Sequence, residues 1–194
     1  MASYSFREAR QDDAGVLAEL VNLAGEGMPL QLWETMREPG ETAWDVARRR
    51  AARDDGGISW RNAVIAEVDG EIAGALIGYP RPPMPEPVDY AAMPSMFTPL
   101  QELETLAPNT WYVNILAVFP AFRGRGLGAR LMTMAEDIAA REGKPGLSVI
   151  VSDASTNAKQ LYLTCGYRQA AMRPKAWDAG HIEGESWILL TKGL

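Results

Sequence analysis

Apolar residues return along this chain with two different periods. Tyr4-Ser5-Phe6-Arg7 alternates and predicts a short first strand. Val16, Leu17, Leu20, Val21 and Leu23 then recur at helical spacing behind Asp12 or Asp13, either of which suits an N-cap. Gly25-Glu26-Gly27 is expected to stop that helix. Residues 28–36 predict a shorter helix. Residues 42–53 predict a third, with Trp44, Ala47 and Ala51 on one side and Arg49, Arg50 and Arg53 largely on others. Residues 62–68 and 72–78 read as two strands, and Asp69-Gly70 between them favours a tight hairpin, because glycine accepts positive φ.

The next stretch breaks the pattern. Residues 80–108 hold prolines at 80, 82, 83, 85, 87, 94 and 99 before Pro108 closes the segment. That density predicts a long inserted loop with room only for a short helix near residues 100–106. Residues 111–118 then form a strongly apolar strand. Residues 126–141 are the clearest amphipathic helix, with Leu127, Leu131, Met134, Ala135 and Ile138 on one face, ended by Gly143-Lys144-Pro145-Gly146. Residues 147–151 predict another buried strand. Residues 157–165 predict a short helix with Ala158, Leu161, Tyr162 and Cys165 on one face and Gly166 closing it. Residues 167–172 and 186–191 finish as strands. The order implies an α/β (α+β) fold with a mixed sheet and helices on both faces, within a single domain spanning residues 1–194.

Composition narrows the function classes. A formal net charge of -6 gives no global basic footprint for nucleic acid. Cys165 is the only cysteine and His181 the only histidine, so neither an intrachain disulfide nor a Cys/His zinc cluster can form. The first residues lack a cationic segment followed by an apolar one, and no apolar run approaches membrane-spanning length. The expectation is a cytoplasmic protein, with no metal and no nucleic-acid or membrane partner.

Chemistry concentrates in residues 114–129. A buried strand runs into a loop holding Gly124, Gly126 and Gly128, and the loop opens directly into the amphipathic helix. The first turn of a helix presents unpaired N–H groups and favours negative charge. Glycines let a phosphate approach those groups, and Arg123 and Arg125 add positive charge. The pattern reads as a pyrophosphate cradle. Gly124-x-Gly126-x-x-Ala129, with Asp153 downstream, also fits a loose dinucleotide fingerprint. The loop lies too late in the chain for a second half-domain, and Phe119-Pro120-Ala121-Phe122 spoils the tight turn. A Walker-type loop fails for want of Gly-Lys-Ser/Thr. The plainest alternative is a helix start with glycines for close packing.

This stretch resembles the coenzyme A binding core of the GNAT family of N-acetyltransferases. Arg123-Gly124-Arg125-Gly126-Leu127-Gly128 matches that family's Arg/Gln-x-x-Gly-x-Gly/Ala motif, and Leu116-Ala117-Val118-x-Pro120 matches the strand before it. Asn157, Ala158, Leu161-Tyr162 and Gly166-Tyr167 match its downstream pattern. The resemblance is close over residues 111–172. It implies a mostly antiparallel sheet of about six or seven strands with splayed central strands. It implies acetyl-CoA as acyl donor, held by Leu116, Ala117, Val118, Arg123, Gly124, Arg125, Gly126, Leu127, Gly128, Ala129, Asn157, Tyr162 and Tyr167. Tyr162 is then the candidate general acid for the departing thiolate. Glu104, with Glu102 as neighbour, is the candidate base, and Asn114 would order a water.

The remaining candidates have plainer readings. Tyr162 also suits a helix core, Asn157 a helix N-cap, Glu104 a solvated loop, His181 and Cys165 no special role, and Arg48-Arg49-Arg50 with Arg53 a solvated helix face. The acceptor is expected to be a small cationic amine, with a peptide amine as an alternative. It would meet residues 25–33, 80–108 and 174–185, which carry Trp33, Met84, Tyr90, Met93, Met96, Phe97 and Trp177 beside Glu26 and Asp89, with Glu34 directly after the first stretch. A homodimer is expected from an exposed last strand. A non-catalytic acyl-CoA-binding module of the same fold is the alternative function.

Overall fold

The computed structural model describes residues 2–176 and 183–194. Along the chain run β1 (Tyr4–Glu8), α1 (Ala14–Ala24), α2 (Met28–Thr35), α3 (Ala43–Ala51), β2 (Ala63–Val68), β3 (Glu71–Pro80) and α4 (Thr98–Thr105). After them come β4 (Trp111–Val118), α5 (Leu127–Arg141), β5 (Gly146–Ser152), α6 (Thr156–Thr164), β6 (Arg168–Pro174) and β7 (Ser186–Gly193). The seven strands form one sheet in the order β1-β2-β3-β4-β5-β7-β6. Of the pairings with a described register, only β4 with β5 is parallel. The architecture is the mixed α/β sheet that the element order implied, with the mostly antiparallel pairing and seven strands that the family resemblance implied. By compactness the chain falls into two units, residues 1–79 with 114–131 and residues 80–113 with 132–194.

In the first unit, β2 and β3 are joined by Asp69 and Gly70 with φ of 52° and 84°, the pair of positive values that a tight hairpin turn requires. α1 and α3 bury Leu17, Ala18, Leu20, Val21, Val46, Ala47 and Ala51 against Ile65, Ala75 and Ile77 of the sheet, with Trp33 of α2 in the same core. Thr42 caps α3 by accepting from the Asp45 N–H at 3.2 Å, and the Asp45 carboxylate accepts from the Thr42 N–H at 2.8 Å. Asp13 precedes α1 without a side-chain cap bond. Its carboxylate instead accepts from the Arg7 guanidinium at 2.7 and 2.9 Å and from the Arg10 N–H at 2.7 Å.

β3 carries an irregularity that bears on β4. Ala66 pairs with Gly74 but Glu67 pairs with Ile72, so Ala73 is an extra residue on β3. Its carbonyl accepts from the Phe119 N–H at 2.9 Å. Gly74 then faces the end of β4 so closely that a Cβ there would lie 2.4 Å from the Ala117 carbonyl oxygen and 3.1 Å from the Val118 Cα. Both are backbone atoms and cannot rotate away. Gly74→Ala should therefore cost about 2 kcal/mol of stability. Urea unfolding measures it; a midpoint equal to the parent's would show that β4 yields freely.

In the second unit, β5 pairs with β7 along its length, from Gly146 with Gly193 to Ser152 with Trp187, and β7 pairs with β6. α4 packs on this part of the sheet, with Leu103 and Ala107 against Leu189 and the half-buried Ile150, Ala171 and Trp187. The proline-rich stretch thus contains an ordered helix that begins earlier than expected, at Thr98. α5 contributes to both units. Its buried stripe is Leu127, Leu131, Met132, Ala135 and Ala139, with Met134 and Ile138 half-buried beside it.

Candidate functional site

The glycine loop keeps its predicted form. A turn through Pro120–Phe122 leads out of β4, and Gly124 and Gly126 then adopt φ of 74° and 77°. Only glycine takes such values without strain. A Cβ on either would meet nothing within 4 Å, so the space beside the loop is open on the protein side. The Arg130 N–H bonds to the Gly126 carbonyl at 3.2 Å, which starts α5 at Leu127. Among the described residues, no hydrogen bond takes the backbone N–H of residues 124–128. These amides sit at the positive end of a 15-residue helix. The residues present fit a diphosphate group.

Arg123 and Arg125 brace this loop from within. Arg123 Nε donates to the Val118 carbonyl at 3.0 Å and Arg125 Nη2 to the Ala121 carbonyl at 3.2 Å. Arg125 also lies over the Phe122 ring, 5.6 Å from its centroid. Their charge is thereby fixed beside the amides while both side chains stay exposed. Ala129 is exposed on the first turn of α5. At the end of β4, Ile115 and Ala117 are buried in the core while Leu116 and Val118 are half-buried. The Val118 carbonyl is taken by Arg123, so any strand-like pairing with a ligand falls to the other backbone groups of residues 116–118. Asn114 is half-buried, and its Nδ2 donates to the Gly57 carbonyl at 3.0 Å. That bond leaves Oδ1 as the acceptor end of the amide.

In the second unit the end of α6 has a specific closure. Gly166, with φ of 90°, donates its N–H to the Leu163 carbonyl at 3.0 Å, and the Tyr167 N–H reaches the Tyr162 carbonyl at 3.0 Å. This pair of bonds defines a Schellman motif with glycine in the left-handed position. The motif brings the Tyr162 and Tyr167 rings together, centroids 5.9 Å apart and tilted by 55°. Tyr162 is the buried residue of α6, whereas Ala158, Leu161 and Cys165 are only half-buried. Its hydroxyl makes no hydrogen bond among the described residues. Burial, with the Cys165 thiol nearby, pushes the phenol well above its usual range, so it keeps its proton. Tyr167 is buried too, and its hydroxyl is sealed without a partner among the described residues. Asn157 is exposed on the first turn of α6 and is not its N-cap, a position held by Ser155.

Glu104 lies on α4, not in a solvated loop. It accepts from Arg81 Nη1 at 2.9 Å, and both side chains are 16% exposed. Burial raises its proton affinity and Arg81 opposes the rise. Glu102 bonds Arg173 Nε at 2.8 Å. Trp33, expected near an acceptor, is instead a core residue, 6.3 Å from Trp44 between ring centroids. Met84 and Tyr90 are exposed. Burial raises the Cys165 thiol above its usual range. Trp177 and His181 lie outside the described residues. Among the described residues no group of His, Cys, Asp and Glu is placed to hold a metal ion. No described helix is long and apolar enough to cross a membrane.

Three kinds of comparison bear on this site. Residues 28–167 match the family described as the acetyltransferase (GNAT) family. The chain is 29% identical over 124 residues to the L-2,4-diaminobutyric acid acetyltransferase of Nocardia farcinica, a match covering 63% of this chain and 52% of that protein. It is 22% identical to the thialysine N-epsilon-acetyltransferase of Mus musculus, over 96% of each. Its fold is similar to that of the Drosophila melanogaster polyamine N-acetyltransferase, which forms N-acetylagmatine, with a TM-score of 0.70, 18% identity, and 99% and 100% of the two chains covered. The family match takes in the β4 end, the glycine loop and α6 through Tyr167, and the chain belongs to the acetyltransferase (GNAT) family.

Proposed function

We propose that this chain transfers an acetyl group from acetyl-CoA to the primary amine of a small molecule, by direct attack within a ternary complex. One observation carries the reading: the amides of residues 124–128, unengaged by other described residues, open around positive-φ glycines at the head of α5. A diphosphate satisfies such amides. The donor supplies a thioester, and holding both reactants together provides much of the rate. Gly124, Gly126 and Gly128 admit the diphosphate, with Leu127 and Ala129 in the same turn and Arg123 and Arg125 fixing the loop and adding charge. Backbone groups of Leu116, Ala117 and Val118 align the pantetheine arm and meet the thioester oxygen. Asn157 is assigned to that arm. Tyr162 protonates the leaving thiolate, and Tyr167 holds it in place. The same reading puts the protein in the cytoplasm, without nucleic acid or membrane as partners, and as a homodimer.

For the amine's proton, Asn114 is assigned to ordering the accepting water through Oδ1. Glu104 is assigned to structure, because its carboxylate is committed to Arg81 in a mostly buried pair. Glu104→Gln should leave kcat/KM within about threefold and the acid limb of its pH profile unmoved, while stability falls by about 1 kcal/mol as Arg81 loses its counter-charge. Loss of the acid limb would make Glu104 the base.

The relatives' names divide into two acceptor classes. Diaminobutyric acid and thialysine carry a carboxylate beside the amine; agmatine and polyamines do not. An amine panel scored by release of free coenzyme A thiol tests the activity. Acetyl-CoA binding with no amine acetylated would favour a non-catalytic acyl-CoA-binding module.

A further inference from the structure

One ion pair reaches the closure of α6 from outside. Lys192 on β7 donates to the Glu136 carboxylate on α5 at 2.6 Å, and the two side chains are only 24% and 26% exposed. That shielding separates it from the exposed pairs near α3, Arg48 with Asp45 and Arg53 with Asp55. On its way to Glu136 the lysine stem passes Gly166. A Cβ added to that glycine would lie 3.7 Å from Lys192 Cε and 4.0 Å from its Cδ. The strand register explains the meeting: Arg168 pairs with Thr191, so Lys192 stands level with Tyr167, the residue that follows Gly166.

This closure carries both tyrosines, and neither phenol is fixed by a hydrogen bond among the described residues. The aim of the Tyr162 ring is therefore set by what packs on it. Tyr167 lies against that ring, and its N–H is bonded to the Tyr162 carbonyl at 3.0 Å. The charges of the pair are felt here too. Next to burial itself, Glu136 does most to raise the proton affinity of the Tyr167 phenol. It also raises the Cys165 thiol, an effect that Lys192 opposes. Contacts thus run from Glu136 through Lys192 to Gly166, and from Gly166 and Tyr167 to Tyr162, all within the second unit. A shielded pair of this kind gives little net stability, because desolvation offsets its attraction. What it does supply is geometry: it clamps α5 and β7 on either side of the turn that aims Tyr162.

We infer that the Lys192–Glu136 pair is the positioning device of the acid, holding the α6 closure in the geometry from which the Tyr162 hydroxyl meets the departing thiolate. This rests on the acyltransferase reading above and on Tyr162 as its acid. Lys192 and Glu136 touch neither substrate nor reacting atoms. They act through Gly166 and Tyr167, so their loss should appear in kcat rather than in donor binding.

A double-mutant cycle tests this. Lys192→Met keeps the stem beside Gly166 and removes the ammonium; Glu136→Met removes the carboxylate. Each should lower kcat by about tenfold, with the acetyl-CoA Kd by calorimetry within about threefold of wild type. The double variant should be no slower than either single one, since one interaction is lost in all three. It leaves no lone charge, so it carries the test if a single variant fails to fold. Lys192→Arg keeps charge and reach and should stay within about threefold of wild type. In a Tyr162→Phe background, Lys192→Met should change the residual rate by less than about twofold, because no acid remains to be aimed. Equal losses with and without the Tyr162 hydroxyl would overturn the inference and make the pair a packing element. So would a kcat within about twofold of wild type in both the single and double variants, or a loss of acetyl-CoA affinity that matches the loss of rate. If Tyr162→Phe turns over normally, the acid assignment falls and the inference with it. If wild type acetylates no amine, the acyltransferase reading itself fails, an outcome distinct from these.

Discussion

Tyr162→Phe should lower kcat by about 10³-fold while the acetyl-CoA Kd stays within about threefold. The substitution removes one oxygen from a buried ring. That oxygen makes no hydrogen bond among the described residues, so the folded protein loses little when it goes. The ring contact with Tyr167 and the backbone closure of α6 are both kept, since neither uses the hydroxyl. Melting temperature should therefore be close to that of the parent. What is lost is the proton for a departing thiolate. The same burial that raises the phenol's proton affinity keeps it protonated at and above its usual titration near 10.0. A raised phenol stays a donor as pH climbs, so kcat should show no descending limb from Tyr162 below about pH 10. Isothermal titration with acetyl-CoA beside steady-state kinetics separates the roles. A variant that binds the donor normally and turns over within tenfold of wild type would remove Tyr162 as the acid.

The parts of this protein readable from its sequence are those set by neighbours in the chain. Asp69-Gly70 announces its hairpin because two adjacent residues decide the turn. The glycine loop and the start of α5 are equally local. What escapes depends on residues distant in sequence. The extra residue at Ala73 exists only in register with β2, and its carbonyl is used by Phe119 far along the chain. Glu104 reads as a loop carboxylate because nothing nearby marks Arg81 as its partner across the prolines. Arg50, whose buried Nε has no acceptor among the described residues while Arg48, Arg49 and Arg53 pair with Asp45, Glu41 and Asp55, is hidden for the opposite reason: a run of arginines looks uniform until each carboxylate has been assigned. The α6 closure lies between these cases. Gly166 signals the helix end, but the meeting of the Tyr167 and Tyr162 rings follows only when both Schellman bonds are placed.

Gly126→Val should weaken acetyl-CoA binding by at least about 10²-fold, whereas Gly143→Val should leave it alone. Valine at a φ of 77° is strained in any protein, by about 1–2 kcal/mol. Gly143, at the other end of α5, has a φ of 66°, and a Cβ added there likewise meets nothing within 4 Å. The two substitutions should therefore cost similar stability. At Gly126 the added side chain projects into the open space beside unengaged amides, where it would hold a phosphate away. Hydrogen bonds from amides to a charged group contribute about 1.5–3 kcal/mol each, so blocking even one or two accounts for the expected loss. Calorimetry on both variants, corrected by their denaturation midpoints, isolates the local effect. Equal donor affinity in the two valine variants would mean that the loop at the head of α5 is built for packing, and the assignment of every other donor-binding residue would lose its anchor.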